Sequence, residues 1–179
     1  PVVGFRRILH EVPDALSTTD TFRNNIRKIG RQDKVFDMVF RADQLAIAHD
    51  LAASCDEIVL VLDHCGVPDI ADGDFEDWKQ AVSRIARLSH VNGKLSGVLA
   101  YCEEGSANLQ TIKPYIDHMI ESFGPHRLVW GSDWPVVNLK SDLATWIDIF
   151  RELIAPLSVD EQVAISSGNA KSIYRLTGD

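Results

Sequence analysis

Short apolar runs rich in β-branched residues alternate along the chain with longer segments whose apolar residues return every three or four positions. The runs are VVGFRRIL (2–9), VFDMVF (35–40), EIVLVLDH (57–64), VNGKLSGVLA (91–100) and HRLVWGSD (126–133). A polar helix is predicted near 19–31, and a second over DQLAIAHDLAAS (43–54). The third run precedes a helix with Phe75, Trp78, Val82, Ile85 and Leu88 on one face. The fourth precedes a helix opened by Pro114, with Ile112, Ile116, Met119 or Ile120, and Phe123 inward. A proline suits a first helical turn, where its missing N–H would lack a partner anyway. After the fifth run, a helix from Ser141 turns Leu143, Trp146, Ile147, Phe150 and Ile154 inward. Ser158-x-x-Glu161 reads as a capping box that opens a terminal helix pair.

These are five β-then-α units in a row. Near-continuous apolar strands between amphipathic helices mean an α/β fold with a parallel sheet covered by helices. An open doubly wound sheet and a (β/α)8 barrel both fit. The open sheet usually carries a glycine-rich nucleotide loop after its first strand, and neither GxGxxG nor GxxxxGK[ST] occurs. A barrel places its chemistry at the C-terminal ends of several strands. His64 closes one strand, Lys94 and Ser96 lie in another, and Asp133 closes the last. The expectation is a partial TIM barrel forming a single domain over residues 1–179. A complete barrel takes about 250 residues, so roughly three units are expected to be missing on the N-terminal side. The opening PVVGFRRIL, without a methionine and already inside an apolar strand, agrees with that.

The net charge of −8, from 26 acidic and 18 basic residues, argues against nucleic acid or an anionic membrane as main partner. It leaves room for an anionic small molecule held by one or two arginines. The longest basic cluster, Arg23 to Lys34, is scattered along a helix and reads as solvated. Cys55, Cys65 and Cys102 form no CxxC pair and leave an odd count, which fits a reduced, cytoplasmic setting. No apolar run approaches the ~20 residues of a membrane span, and no signal peptide is visible.

Ser and Asp after a strand commonly cap the next helix, but the helix expected here starts eight residues past Asp133, so capping explains that aspartate poorly. Alternation places Val129, Gly131 and Asp133 on one strand face, and Ile58, Leu60, Leu62 and His64 on one side of another. Asp63 then points the other way, as a structural partner or helix cap. Arg6 and Arg7 cannot share a face; a guanidinium inside a strand needs a counter-ion, so one is expected to reach a bound carboxylate or Asp133. Lys94 either serves the site or snorkels along its strand end. His10, just past the first strand, is a lesser candidate. His49 and His118 fall in helices, and His90 and His126 precede strands. Tyr101 and Trp134 either line a pocket or pack. His64 and Asp133 supply two metal ligands at most, where catalytic zinc wants three plus water.

GFRRIL, LVLDHCGVP, KLSG, LVWGSDWPV and GNAKSIYRL occur in that order. Together they resemble the second amidohydrolase family of TIM-barrel hydrolases, and within it the group of sugar-lactone, muconolactone and pyrone-dicarboxylate lactonases. The resemblance implies barrel strands four to eight, and a His-x-His pair of the family's first strand is absent from this chain. It implies Asp133 as the base that deprotonates the attacking water and His64 near the substrate carbonyl or a metal. It further implies Arg6 on a substrate oxyanion or carboxylate, and less securely Lys94. A divalent metal such as zinc is optional on this reading, because lactones are activated esters and several members of the group work without one. The substrate expected is a small, anionic lactone. A nonoxidative decarboxylase of the same superfamily is the nearest rival. A non-catalytic interaction module with open strand edges is the other alternative.

Overall fold

The structure, a computed structural model, describes residues 2–176. Five strands, β1 (Gly4–Ile8), β2 (Val35–Val39), β3 (Leu60–Leu62), β4 (Val91–Leu95) and β5 (Leu128–Trp130), pair in parallel in the order β1-β2-β3-β4-β5. A doubly wound sheet reverses its order at a switch point; this one never does, and so forms an arc of a (β/α) barrel.

The strands are shorter than the apolar runs that predicted them. Three of them end where the backbone turns: β3 at Leu62, β4 at Leu95 and β5 at Trp130. Between the strands lie α1 (Ala15–Thr18), α2 (Asp20–Gly30), α3 (Leu45–Ala53), α4 (Phe75–Ala86) and α5 (Leu109–Phe123). After β5 come α6 (Leu143–Ile154), α7 (Val159–Val163) and α8 (Asn169–Ile173). The Ser158–Glu161 capping box forms as expected.

Two helix starts differ from expectation. The α6 helix begins at Leu143, because Asp142 caps it by accepting from Thr145 N–H. The α5 helix begins at Leu109, capped by Asn108, which leaves Pro114 in its interior and not in its first turn. The carbonyl that Pro114 cannot serve belongs to exposed Gln110, on the helix's wet side.

The main core lies between the sheet and the helices. Phe36, Met38, Leu60, Leu62, Leu95 and Leu128 point into it from the strands. From α5 come Ile112, Ile116, Met119 and Phe123, each burial contributing roughly 1.5–3 kcal/mol. Close approach here requires Gly93: a Cβ on it would stand 2.7 Å from Met119 Cε and 2.9 Å from Leu128 Cδ2. The opposite sheet face carries a small apolar cluster, Val35, Val61 and Val129, covered by Ala170, Ile173 and Tyr174. Asn169 ties α8 down by donating to the Pro125 and Leu128 carbonyls, both at 2.7 Å.

Candidate active site

The strand period decides which side chains meet on the inner face. Phe36 and Met38 face the helices, so Asp37 between them faces inward, and Arg6 pairs with it in register from β1. Val61 faces inward as well, and two residues on so does Asp63. On β4 the same face carries Lys94 and, just past the strand, Ser96. The Cβ of an alanine at Gly131 would lie 3.3 Å from Ser96 Cβ, which puts that end of β5 beside them.

Lys94 sits at the centre of a charge quartet. Its Nζ lies 2.5 Å from Asp37 Oδ2 and 2.5 Å from Asp63 Oδ1, and Arg6 Nη1 lies 3.8 Å from Asp63 Oδ2. Two cations thus meet two carboxylates. Burial works against the Lys94 charge, but Asp63 and Asp37 outweigh it and raise its pKa. Burial raises Asp37, against the pull of Lys94. Tyr174 completes this floor, its hydroxyl donating to Asp37 at 2.8 Å. Asp63 is fully buried and among the described residues lacks a partner of hydrogen-bond geometry, so Coulombic contact with Lys94 is what compensates its charge.

Strict alternation would have aimed His64 at the helices, beside Leu60 and Leu62. The structure corrects that reading: β3 stops, and residues 63–66 form a tight turn in which His64 has φ 54° and Cys65 φ 55°. Gly66 (φ 71°) and Val67 (φ 42°) continue in the left-handed region. Left-handed backbone costs a non-glycine residue about 1–2 kcal/mol, most awkwardly for a β-branched valine. That strain swings the imidazole back over the inner face. There His64 Nδ1 pairs with Ser96 Oγ at 2.8 Å and stands 3.8 Å from Asp133 Oδ1. Burial lowers the His64 pKa to about 4, against the raising effect of Asp133, so the ring is neutral at pH 7.

Asp133 reaches the site by the same device, with φ 53°. Its side chain is 13% exposed, enough to meet a water, and it is not consumed by a helix cap. Burial raises its pKa first; His64 and then Arg6 pull the other way. Tyr101 stands nearby with its phenol held protonated by burial and next by the Asp133 charge. It lines a cavity of about 550 Å³ that extends past Val67 to Trp78.

Among the residues singled out from sequence, His64, Asp133, Lys94 and Arg6 converge, and Tyr101 borders them. Trp134 does not: it is 65% exposed, outside the buried cluster. Arg7 is exposed on β1. His10 lies near His64, and among the described residues its buried Nδ1 has no partner. Sequence reading missed Asp37 and Tyr174 and took Asp63 to point away. An aspartate amid VFDMVF was the available signal for Asp37. Among the described residues no three His, Cys, Asp or Glu side chains gather as metal donors. His64 and Asp133 therefore fall short of the three protein ligands catalytic zinc takes.

A parallel sheet in sequential order, with His and Asp turned inward past its strand ends, is the architecture of part of a (β/α) barrel. The chain belongs to the amidohydrolase family, whose model matches residues 2–176. It is 32% identical over 187 residues to an L-fucono-1,5-lactonase of Burkholderia multivorans, covering 97% of this chain and 62% of that relative. A 4-sulfomuconolactone hydrolase of Rhizobium radiobacter is 32% identical over 103 residues, covering 58% of this chain and 33% of its own. A solved amidohydrolase of Burkholderia multivorans with bound zinc superposes with a TM-score of 0.93 at 31% identity, covering 97% of this chain and 64% of that one. The chain thus spans just under two thirds of the length of these two Burkholderia multivorans relatives.

Proposed function

We propose that the protein is a lactone hydrolase that opens the ring of a sugar-acid or muconate-type lactone. The observation that carries this reading is the Asp133 carboxylate, little exposed and 3.8 Å from a neutral His64, beside a cavity large enough for a small ring. Asp133 takes a proton from water, and the oxygen attacks the lactone carbonyl carbon. His64 and the half-exposed Arg6 guanidinium face the oxygen on which negative charge develops. The intermediate then breaks the ring C–O bond, and the proton held by Asp133 passes to the leaving alkoxide. Lys94, locked between Asp37 and Asp63, keeps the floor of the site rigid. Zinc would find His64 and Asp133 as donors from this chain, and there it would polarise the carbonyl; the steps above use the chain's own residues. The lactonase names of the relatives support the same class.

Cys55, Cys65 and Cys102 are all buried free thiols, which supports a reducing, cytoplasmic setting. Among the described residues no helix is long and apolar enough to cross a membrane.

The test is acid release in a pH-stat, with headspace CO2 measured in parallel, over a panel of sugar-acid and muconate lactones. The expected result is stoichiometric acid without gas. CO2 release would move the protein to the decarboxylase reading, and no acid from any lactone would end the hydrolase one.

A further inference from the structure

A second cavity, of about 620 Å³, lies between α4, α5 and Arg127, the residue that leads into β5. Arg127 precedes β5 and Asp133 follows it, so this cavity sits at the opposite end of the sheet from the His64–Asp133 pair. We infer that it binds a phosphate group, as inorganic phosphate or a phosphomonoester, through His118, Ser83, Ser122 and the cations around them. The inference stands independently of the lactonase reading.

His118 is the central observation. It is 6% exposed, and among the described residues its buried Nδ1 has no partner. A buried nitrogen left unpaired is costly unless something fills the place beside it. The other ring nitrogen settles the tautomer. Nε2 lies 2.9 Å from the Lys79 carbonyl, which can only accept, so Nε2 carries a proton. Ser83 Oγ and Ser122 Oγ each lie 3.1 Å from that same nitrogen. Their own hydroxyl protons have no acceptor among the described residues and are free for a ligand. Glu121 Oε2 stands 3.8 Å from Nδ1, too far for a hydrogen bond. The Glu121 side chain is 81% exposed, so a ligand displaces it without disturbing the packing.

The charge around this ring is positive in a chain whose net charge is −8. Lys79, Arg87 and Arg127 line the cavity against the Glu121 carboxylate. Neither Lys79 nor Arg87 has an acidic partner among the described residues; the Lys79 ammonium lies over the Phe75 ring, at 5.9 Å. Arg127 has a structural task, because it donates to the Ala86, Leu88, Val91 and Phe123 carbonyls where α4 and α5 end. Those bonds spend four of a guanidinium's five N–H donors, and among the described residues its charge meets no carboxylate. Helix capping accounts for Arg127 but not for the idle hydroxyls or the bare His118 nitrogen. The wall is rich in donors and poor in acceptors, which suits an oxyanion with several acceptor oxygens. Phosphate fits better than a carboxylate. When singly protonated it offers a P–OH beside its acceptor oxygens, so it can partner Nδ1 in either protonation state.

The experiment is calorimetric titration of the full chain with sodium phosphate and with phenyl phosphate, at an ionic strength fixed by sodium chloride. One phosphate per chain should bind with a Kd of about 1 mM or tighter, and Tm should rise with its concentration. The tighter of the two probes identifies the source, free phosphate or a phosphomonoester. His118→Gln keeps a donor for the Lys79 carbonyl but loses Nδ1, and should weaken binding about tenfold or more. Arg87→Gln alters an exposed side chain that folding does not need, and should weaken binding severalfold. Glu121→Gln removes the competing carboxylate and should tighten it. If His118→Gln does not fold, Arg87→Gln and Glu121→Gln decide by the same criterion. No saturable binding of either probe, or the same Kd in wild type and all folded variants, would overturn the inference. A rise in Tm matched by sodium chloride alone would do so too, because that is general screening.

Discussion

His64 and Asp133 stand 3.8 Å apart, and each holds a left-handed backbone, at φ 54° and 53°. Two strand ends have thus been bent the same way to bring a neutral imidazole and a carboxylate together. Strain of this kind persists only where surrounding structure enforces it. Here the enforcement comes from the Ser96 hydroxyl on the His64 ring and from the packed 63–67 turn.

The buried His64 makes stability depend on pH. Its folded pKa of about 4 lies below the ordinary 6.5, so the unfolded chain binds the proton more readily. The contribution is fully present above the unfolded value and is lost as pH falls from 6.5 toward 4. A gap of that size corresponds to on the order of 3 kcal/mol. Urea unfolding at about pH 7 and about pH 4, in wild type and His64→Gln, reads it. The wild type should lose more stability than the variant on acidification; equal losses would refute the assignment.

Lys94 neutralises two carboxylates at once, so its removal should be costly. Lys94→Met keeps the apolar stem but leaves Asp37 and Asp63 buried without their shared cation. The expected loss is about 3–5 kcal/mol by chemical denaturation. A loss below about 1 kcal/mol, the range of an exposed ion pair, would show that the pairing is weak.

Gly97 guards the imidazole. It has φ +76°, and an added Cβ would stand 3.0 Å from His64 Cβ, Cγ and Nδ1. Gly97→Ala should therefore displace the ring and break its bond to Ser96, cutting lactone turnover by about tenfold or more while circular dichroism stays native. Wild-type turnover in the variant would mean that His64 placement is not critical.

Hydrophobic period alone gave the five strands and the helices between them, because burial on both sheet faces leaves a strong signal. It also brought His64 and Asp133 forward as strand-end residues and Lys94 as a residue within a strand, while the choice of Arg6 over Arg7 came from the family resemblance. It failed where the backbone leaves the strand. Extending the alternation past Leu62 put His64 on the helix side with Leu60 and Leu62, opposite the face it serves, since no period encodes a left-handed turn, whereas Asp63 does keep the inner face of Val61. Asp37 and Tyr174 are 137 residues apart and meet only through the packing of α8 beneath the sheet. Pro114 was misplaced because Asn108 set the helix start earlier than the proline.

The most direct test of the account is kcat/KM of Asp133→Asn against wild type on a lactone the protein opens, in the full chain and with its fold verified. Asparagine keeps the shape of the side chain but cannot take the proton from water. The account predicts a fall on the order of a hundred- to ten-thousandfold. A variant within a few-fold of wild type would contradict Asp133 as the base.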